Sequence, residues 1–302
     1  MQTRRLELLV EFARLGSMRA VADALGTTTS TVSQQLAALT GEVGMALLEP
    51  DGRRVRLTPA GRRLAEHAVT ILAAVESARV DLDPDADPAG RVRVAGFATA
   101  IRRALLPVVA DLASSHPQVE LLIFEHEPAD AVRLLAGDDV DLALTYDYNL
   151  SPVTTDRAVT STRLWTAAWG LGVPVPSAHG HSDSALQSFD RYRDAAWIVN
   201  SRNTADEHVV RIIASMAGFQ PRITHQVDSL ELVQDLIAAG LGVGLLPVGQ
   251  PTVPEVRLLE LRDPAVTLRS YALTRQGRAR WPPLELVLSR LTGAVGLTPT
   301  LP

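Results

Sequence analysis

Apolar residues recur at helical spacing through the first 39 positions, with two short interruptions. The first set ends at Gly16-Ser17, the second ends at Gly26, and the third begins after a run of hydroxyl residues from Thr27 to Thr31. The sets are Leu6, Leu9, Val10 and Ala13; Val21, Ala22 and Leu25; and Val32, Leu36 and Leu39. This spacing predicts three helices, of which the last two are joined by a very short turn.

The second and third predicted helices carry the residues that a helix-turn-helix needs. Ala22 is a small residue where the two helices would cross, Gly26 tolerates the positive φ of the turn, and Val32 faces back as an apolar anchor. Either Thr28 or Thr29 can cap the third helix by accepting hydrogen bonds from its free backbone N–H groups.

The outward side chains of the third helix, Thr29 to Leu39, are short hydroxyls and amides. Such side chains reach base edges and phosphates in a DNA major groove. We expect Thr31 and Gln35 to point outward as well, and the candidates for DNA contact are Thr28, Thr29, Ser30, Ser33 and Gln34. A polar helix face that meets only solvent is the alternative interpretation.

The distribution of charge favours the DNA interpretation. Asp51-Gly52 predicts a hairpin turn followed by a strand, which together form a wing carrying Arg53, Arg54 and Arg56. Residues 1–63 hold nine Arg and six acidic residues, whereas the other 239 residues hold twenty Arg and twenty-eight acidic residues. Because the whole chain has a net charge of -5, contact with phosphates would depend on this local patch.

Thr58-Pro59 begins a long helix, with Thr58 as its cap and Pro59 at its first position. An apolar stripe runs along this helix through Leu64, Ala68, Ile71, Leu72 and Val75. We expect the stripe to pair with the same helix of a second subunit, and packing on the chain's own body is the alternative. Residues 81–90, which contain Pro84, Pro88 and Gly90, would end the helix as a linker.

From Arg91 onward, strand and helix patterns alternate in two successive cycles. The first cycle has the strands "RVRVAGF", "VELLIFEHE" and "VDLALTY", and the second has "AAWIVN", "PRITHQV" and "LGVGLLP". Pro107 lies inside the first helix of this region and should interrupt one of its hydrogen bonds. The order predicts two consecutive α/β units.

Residues 4 to 67 resemble the N-terminal domain of the LysR-type transcriptional regulators, through "GSMRAVADALGTTTSTVSQQLAAL" and "RRVRLTPAG". Residues 91 to about 293 resemble the family's effector domain, through "LLPVVADLASSHPQVEL", "GDDVDLAL" and "IAAGLGVGLLP". The resemblance implies an N-terminal all-α winged helix-turn-helix domain (1–60), a linker and dimerisation helix with a hinge (61–90), and an α/β effector domain (91–302). The last would consist of two Rossmann-like subdomains, similar to periplasmic binding proteins. Subdomain I would span about 91–160 and 268–302, subdomain II about 161–267, with crossovers near 155–165 and 267–274.

The same resemblance implies a sequence-specific regulator of transcription that binds a double-stranded DNA operator and a small-molecule effector. It also implies a homodimer or homotetramer held by the linker helix and the effector domain, and it leaves RNA polymerase open as a further partner. The sequence has no signal-peptide pattern, no apolar run of membrane length and no cysteine, so we expect a cytoplasmic protein without a membrane partner.

The candidate effector site follows from helix ends. In doubly wound folds, ligands lie at the carboxyl edge of the sheet, where helix N-termini offer free N–H groups. Two helices should begin there, one after Phe97 and one after Asn200, and Thr204 with Glu207 predicts a capping box. The candidates are Thr99, Ala100, Thr145, Tyr146, Asn200, Ser201, Asn203 and Thr204, with Arg202 between them. Together these residues could hold a carboxylate or another anion of the effector. The alternative for each residue is an ordinary cap or loop role, and the alternative for the effector is an apolar or aromatic-bearing molecule.

Departures from the family pattern leave a second function open. Gln34 stands where the family often has arginine, Leu39-Thr40 replaces Leu-Glu, and Leu47-Leu48-Glu49-Pro50 replaces an "LFxR"-like stretch. A small-molecule binding protein whose head has lost DNA specificity would fit these changes, and an enzyme acting in the cleft is a third hypothesis. We expect no catalytic residue, because the sequence shows no assembled nucleophile and base. We expect no metal site, because His179-Gly180-His181 lacks a third ligand. We expect no cofactor, because the glycine run Gly240 to Gly244 follows a helix, whereas a dinucleotide-binding glycine motif follows a strand.

Overall fold

The computed structural model describes residues 1–52, 54–83, 87–154, 156, 158–175, 184–202 and 204–296. An N-terminal head, residues 3–57, contains three helices and a hairpin. They are α1 (Thr3–Leu15), α2 (Met18–Ala24), α3 (Thr29–Val43), β1 (Leu48–Asp51) and β2 (Arg54–Leu57). The long helix α4 (Pro59–Leu82) follows the head and leads to an α/β domain.

The head has its own hydrophobic core, centred on α1. Leu6, Leu8, Leu9 and Phe12 are all buried there. The predicted face of α1 was only partly right, because Val10 is half-buried and Ala13 is exposed. Since α1 packs against α2, α3 and α4 at once, its buried face turns toward Leu8 and Phe12.

The predicted helix-turn-helix is confirmed. Ala22 and Val32 are buried, and Gly26 has a φ of 60°, which ends α2 without steric cost. Thr28 caps α3, since its side-chain oxygen accepts from the backbone N–H of Thr31 at 3.2 Å. A free N–H group at the start of α3 is thereby satisfied.

Thr58 and Gly61 fix the junction between the head and α4. Thr58 Oγ1 donates to the carbonyl of Ala46 at 2.7 Å and accepts from the N–H of Gly61 at 3.0 Å. Gly61 lies so close to the head that a Cβ at this position would be 2.1 Å from the carbonyl oxygen of Leu47. The start of α4 is therefore pressed directly against the backbone that enters the wing.

The apolar stripe predicted along α4 is divided between two environments. Ala68 is buried in the head's own core, and Leu64 and Leu72 pack against it, as the alternative interpretation held. Ile71 is exposed and Val75 is half-buried. One part of α4 thus packs in the core of the head, and another part presents apolar side chains at the surface of the chain.

The α/β domain is built on one mixed sheet. Its strands are β3 (Gly90–Gly96), β4 (Val119–Glu125), β5 (Leu142–Tyr148), β6 (Val159–Pro174), β7 (Ala196–Val199), β8 (Arg222–Gln226), β9 (Val243–Pro247), β10 (Val256–Glu260) and β11 (Val266–Arg275). Its helices are α5 (Ala98–Ala100), α6 (Leu106–Ser115), α7 (Pro128–Ala136), α8 (Ala185–Arg191), α9 (Ala205–Met216), α10 (Leu230–Ala238) and α11 (Pro282–Gly296).

The strand order is β4-β3-β5-β11-β6-β9-β7-β8, with β10 paired to β6. The first half of the domain contains parallel β3, β4 and β5, and the second half contains parallel β7, β8 and β9. Strands β6 and β11 run antiparallel to each other and join the halves. The segments predicted as crossovers are therefore parts of two long strands, which make the sheet continuous.

Pro107 has the predicted effect on its helix. Residues Ile101–Leu105 form a π-helical turn between α5 and α6, in which the N–H of Leu106 bonds to the carbonyl of Ile101. Proline has no N–H to give to the preceding turn, so the hydrogen-bond pattern widens just before it.

Asp141 anchors the first half of the domain to the segment that precedes α11. Its buried carboxylate accepts two hydrogen bonds of 3.0 Å from the Arg93 guanidinium and one of 3.1 Å from Arg278. Burial alone would raise the pKa of Asp141, but the hydrogen bonds and charges of the two arginines hold it below its ordinary value. The side chain of Arg278 also lies over the Trp281 ring, 4.2 Å from its centroid.

We expect Gly61→Ala to lower the stability of the head by about 2 kcal/mol, because the new Cβ would collide with backbone rather than with a flexible side chain. Hydrogen exchange of the α1 and α3 amides measures this stability locally. The matched control is Gly41→Ala in α3, where a Cβ meets no atom within 4 Å. That change should raise the stability by about 0.5–1 kcal/mol, and equal effects of the two substitutions would contradict the close approach.

Candidate nucleic-acid interface and effector cleft

The polar face of α3 is exposed as predicted. Thr29, Ser30, Ser33 and Gln34 are all exposed, and Val32 between them is buried. Thr28 is exposed but committed to its cap, since its hydroxyl also lies 2.9 Å from Ser30 Oγ. The side chains of Ser33 and Gln34 form no hydrogen bond with any described residue, so they stay available to an external partner.

Two residues near this face are held by the head itself. Gln35, expected to point outward, is half-buried, and its Oε1 accepts from Arg5 Nε at 2.9 Å. In the wing, Arg56 pairs with Glu49 across the hairpin at 2.8 Å. Arg54 is exposed and forms no ion pair with a described residue, and Arg53 lies outside the described residues.

The cleft between the halves of the α/β domain is crossed by two exposed ion pairs. Arg202, after β7 in the second half, is 3.5 Å from Glu125 at the end of β4 in the first half. Arg102, in the π-helical turn, is 3.3 Å from Glu231 in α10. Exposed pairs of this kind contribute roughly 0–1 kcal/mol each, so these two pairs add little to the free energy that holds the halves together.

The backbone amides expected to face an effector after β7 are occupied by a side chain of the protein. The Asp228 carboxylate accepts from the N–H groups of Ser201 and Arg202, at 2.9 and 3.1 Å, and from Arg202 Nε at 3.0 Å. The Ser201 hydroxyl donates to the same carboxylate. Burial opposes ionisation of Asp228, yet these hydrogen bonds lower its pKa below the ordinary value.

The structure changes the view of several candidates in the cleft. Thr204 precedes α9 but its side chain makes no capping bond, and Glu207 bonds to Arg211 at 2.7 Å, so the predicted capping box is wrong. The ion pair one turn along the helix has taken the Glu207 side chain away from the N-terminus. Ala100 is buried in the core, Thr99 is half-buried, and Asn203 lies outside the described residues.

Thr145 and Tyr146 lie on opposite faces of β5. Successive side chains of a strand alternate, and Thr145 follows Ala143, which packs against α7. Tyr146 packs instead against Phe97, with ring centroids 4.7 Å apart. The two residues therefore cannot line one wall together, and only Tyr146 belongs to the side of the sheet that carries Phe97.

An aromatic wall continues from Tyr146 in both directions. The Tyr148 ring is 6.0 Å from Tyr146, and the Trp165 ring is 6.4 Å from Phe97, measured between centroids. Arg103 lies over Trp165 at 5.7 Å. The Tyr148 hydroxyl is fully buried beside Asp206, and its interaction with the Asp206 carboxylate favours the ionised form of that group.

Carboxyl groups from both halves meet at this wall. Glu127, directly before α7, accepts a hydrogen bond from the Tyr146 hydroxyl at 3.4 Å. Asp206, in the first turn of α9, accepts from the Asn200 amide at 3.1 Å when that amide is oriented with its nitrogen toward the carboxylate. Burial raises the pKa of Asp206 to about 7; the Tyr148 hydroxyl opposes this, and repulsion by Glu127 and Asp228 adds to it.

Sequence reasoning missed Glu127, Tyr148, Asp206 and Asp228. Two of them stood next to residues that were considered, because Tyr148 follows Tyr146 on the same face of β5 and Asp206 follows Thr204. Asp228 lies far along the chain from the amides that it occupies, at the start of the loop before α10, and no local pattern connects them. Its place in the cleft depends on the pairing of β7 with β8.

The described residues contain neither a candidate metal site nor a candidate membrane-spanning helix. They contain no group of three or more His, Asp or Glu side chains arranged to hold a metal ion. Within the same residues, no helix combines the length and apolar character needed to cross a membrane. His179 and His181, considered as metal ligands, lie outside the described residues.

The raised pKa of Asp206 predicts a pH dependence of stability. A folded-state pKa of about 7 exceeds the unfolded value near 3.9, so folding favours the protonated acid. Stability from this group is complete below about pH 4 and is lost as the pH rises through about 7, by about 2–4 kcal/mol.

Urea unfolding at several pH values, followed by tryptophan fluorescence, tests this, because all four tryptophans lie beyond residue 160. Asp206→Asn should remove this part of the pH dependence, whereas the exposed control Asp190→Asn should not. Parallel curves for wild type and Asp206→Asn would rule out the assigned shift.

Family models match nearly the whole length of the chain. Residues 3–62 match "Bacterial regulatory helix-turn-helix protein, lysR family", and residues 85–295 match "LysR substrate binding domain". The transcriptional dual regulator GltC of Bacillus subtilis is 28% identical over 250 residues, which cover 82% of this chain and 81% of GltC. TfdS, an HTH-type transcriptional regulator of Cupriavidus pinatubonensis, is 25% identical over 296 residues, which cover 95% of this chain and 97% of TfdS.

Solved structures share the fold. A full-length variant of OxyR from Pseudomonas aeruginosa superimposes with a TM-score of 0.69 at 18% identity, covering 100% of this chain and 96% of OxyR. CbnR complexed with its target DNA has a TM-score of 0.52 at 21% identity, and the match covers 98% of this chain and 100% of CbnR. The chain belongs to the LysR family, whose members are transcriptional regulators with a DNA-binding helix-turn-helix and an effector-binding domain.

Proposed function

We propose that α3 enters the major groove of an operator, with Ser30, Ser33 and Gln34 reading base edges. The observation that carries this proposal is the exposed Ser33-Gln34 pair, which has no hydrogen-bond partner among the described residues. Hydroxyl and amide groups discriminate base pairs through the donors and acceptors of the groove. Thr28 and Thr29 lie at the N-terminus of α3, where the helix dipole favours a phosphate.

The wing supplies charge rather than sequence readout. Arg54 is exposed and free of ion pairs with described residues, so it can meet the DNA backbone directly. Arg56 must exchange its pair with Glu49 for a phosphate, which reduces its net contribution. We assign Arg53 the same role from its position in the sequence.

The second part of the proposal is a homodimer through α4. Ile71, Val75, Ala78 and Leu82 follow one another at helical spacing, and all four remain exposed or half-buried. A parallel or antiparallel copy of this helix would cover them and would hold two heads on one operator. The half-sites would then lie about 34 Å apart or a multiple of that distance. Pairing of α/β domains into a tetramer, and contact with RNA polymerase, extend the same proposal.

The third part concerns the effector, which we place in the cleft beside Tyr146, Asn200 and Ser201. Its entry would replace or rearrange the pairs Arg202–Glu125 and Arg102–Glu231, which cross the cleft between the two halves. A ligand with different affinities for the open and closed arrangements shifts their populations. This shift would control the spacing of the two heads.

DNA binding by the full chain is tested by fluorescence anisotropy with its own upstream intergenic DNA and a scrambled duplex, over a series of salt concentrations. Ser33→Ala or Gln34→Ala should each weaken binding to the specific sequence by about 1–3 kcal/mol and leave binding to the scrambled duplex unchanged. Arg54→Ala should weaken both and lower the salt slope by about 1.

Gln220→Ala and Arg133→Ala, both exposed and outside the head, are the matched controls. Equal binding to all DNA, with genomic-fragment selection recovering no preferred sequence, would instead support a small-molecule binding protein whose head has lost DNA specificity.

The α4 dimer is tested by sedimentation equilibrium. Ile71→Arg should shift the protein toward monomer, because it places a charge in the centre of the exposed stripe, at a cost of several kcal/mol when buried unpaired. Glu66→Arg, on another exposed part of the same helix, is the control and should leave the oligomeric state unchanged. An unchanged oligomeric state of Ile71→Arg would refute pairing through this stripe.

A further inference from the structure

A groove of about 570 Å³ lies at the edge of the sheet opposite the effector cleft. This edge groove runs along the first residues of β7, β8 and β9, whereas the candidate effector residues of the second half follow the end of β7. Strands of four and five residues separate the two places by roughly 15 Å. The edge groove is therefore a separate concavity, of the size that proteins use to bind small molecules.

A bulge in the edge strand β8 brings two hydrogen-bond donors to one side of the sheet. Arg222 is the partner of Ala196 in β7 and His225 is the partner of Ile198, so Thr224 is an extra residue without a partner in β7. The Thr224 hydroxyl bonds to the carbonyl of Arg222 at 3.2 Å. In a regular strand, residues three positions apart lie on opposite faces of the sheet. Because of the bulge, Arg222 and His225 share one face, and both line the edge groove.

Both side chains have donors to spare. The exposed Arg222 guanidinium makes one long hydrogen bond, of 3.4 Å, to the carbonyl of Asp194 and forms no ion pair with a described residue. The ring of His225 is half-buried and forms no hydrogen bond with a described residue. Carbonyls at the end of the neighbouring helix α10 accept instead from the N–H groups of Gly240 and Leu241, at 2.9 and 3.0 Å. A guanidinium fork and a ring N–H on one face suit the oxygens of a carboxylate or a phosphate.

The charge around the edge groove favours an anion. No carboxylate is among the described side chains that line it. Burial raises the pKa of Tyr192, another lining residue, and the positive charges of Arg191 and Arg257 oppose this rise, so both guanidinium groups lie near its ring. Together with Arg222, three arginines surround the groove, although residues 64–302 contain more acidic residues than arginines.

The lining also offers an apolar surface. Leu241 is large and hydrophobic, yet it is 46% exposed where it lines the edge groove. Pro174 and Ala195 extend the same lining. An inorganic anion would leave this surface in water, whereas the apolar part of an organic anion would cover it.

We propose that the edge groove binds a small organic anion, a carboxylate or phosphate monoester attached to an apolar or aromatic body. The Arg222 guanidinium and the His225 ring bind the anionic oxygens, and the body covers Leu241. Arg191 and Arg257 add to the attraction of the anion through their charge. This site is distinct from the effector cleft, and the inference depends neither on DNA binding nor on the identity of the effector.

The test measures binding of four probes to the full chain by isothermal titration calorimetry. The probes are phenyl phosphate, 3-phenylpropanoate, inorganic phosphate and the cation 2-phenylethylamine. Phenyl phosphate or 3-phenylpropanoate should bind with a Kd below about 1 mM, at least about tenfold more tightly than inorganic phosphate and the amine, and the tighter of the two identifies the anionic group. Failure of both organic anions to bind at about 10 mM, or equally tight binding of the amine, would overturn the proposal.

Variants of exposed or half-buried residues locate the site. Arg222→Gln should weaken binding of the organic anion at least about tenfold, and His225→Ala should weaken it severalfold. The matched control is Arg211→Gln, which removes an exposed arginine of α9 in the same half that does not line the groove. It should leave the affinity unchanged. Wild-type affinity in both Arg222→Gln and His225→Ala would show that the anion does not bind in the edge groove.

A further variant, Arg202→Gln, separates the edge groove from the effector cleft. It removes the arginine that crosses the cleft and should leave the affinity for the organic anion unchanged. Affinity that is lost in Arg202→Gln and retained in Arg222→Gln would place the anion in the cleft and reject the edge groove. Affinity that is lost only in Arg222→Gln and His225→Ala supports the edge groove, whatever the DNA-binding experiment shows.

Discussion

The pairing of β6 with β11 is the constraint on which the rest of the α/β domain depends. These two antiparallel strands pass through both halves, and their register shifts between Arg269 and Tyr271, close to the point where the sheet leaves one half for the other. Arg269 is fixed there by two hydrogen bonds to the buried Asp147, of 2.8 and 2.9 Å. Asp147 in turn accepts from the N–H of Val153 at 3.0 Å. The Arg269–Asp147 pair therefore ties the register shift in β11 to the end of β5, so the two walls of the cleft meet at a defined place.

Local patterns in the sequence were enough to predict the helix-turn-helix of the head. Ala22, Gly26, Thr28 and Val32 perform the tasks inferred from their spacing, because a helix-turn-helix is determined by contacts between residues a few positions apart. The strand and helix order of the α/β domain followed from periodicity in the same way. The burial of Phe12 in place of Ala13 could not be predicted, since it depends on α4, which packs against α1 from more than forty positions away.

The cleft shows where such reasoning ends. Helix starts were located correctly after Phe97 and near Thr204, yet the capping box at Thr204 and Glu207 does not form. The negative charge at the backbone amides before α9 comes from Asp228, which lies in the loop between β8 and α10. The carboxyl groups beside the aromatic rings come from Glu127 in the first half and Asp206 in the second half. These are long-range encounters, and a helix N-terminus alone says nothing about which carboxylate, of protein or ligand, it will meet.

One contact connects the end of β11 to the long helix. The Thr70 hydroxyl lies 3.4 Å from the carbonyl oxygen of Gln276, one residue beyond β11, and α4 also packs beside Arg278–Arg280 and α11. At about 1.5 Å per residue, the 24 residues of α4 form a rigid rod about 36 Å long. Because Thr70 lies near the middle of α4, a tilt of about 5° at this contact would displace each end of the rod by about 1.5 Å, in opposite directions. A small rotation beside the sheet would therefore move the head by about half of the ~3.4 Å that separates successive base pairs.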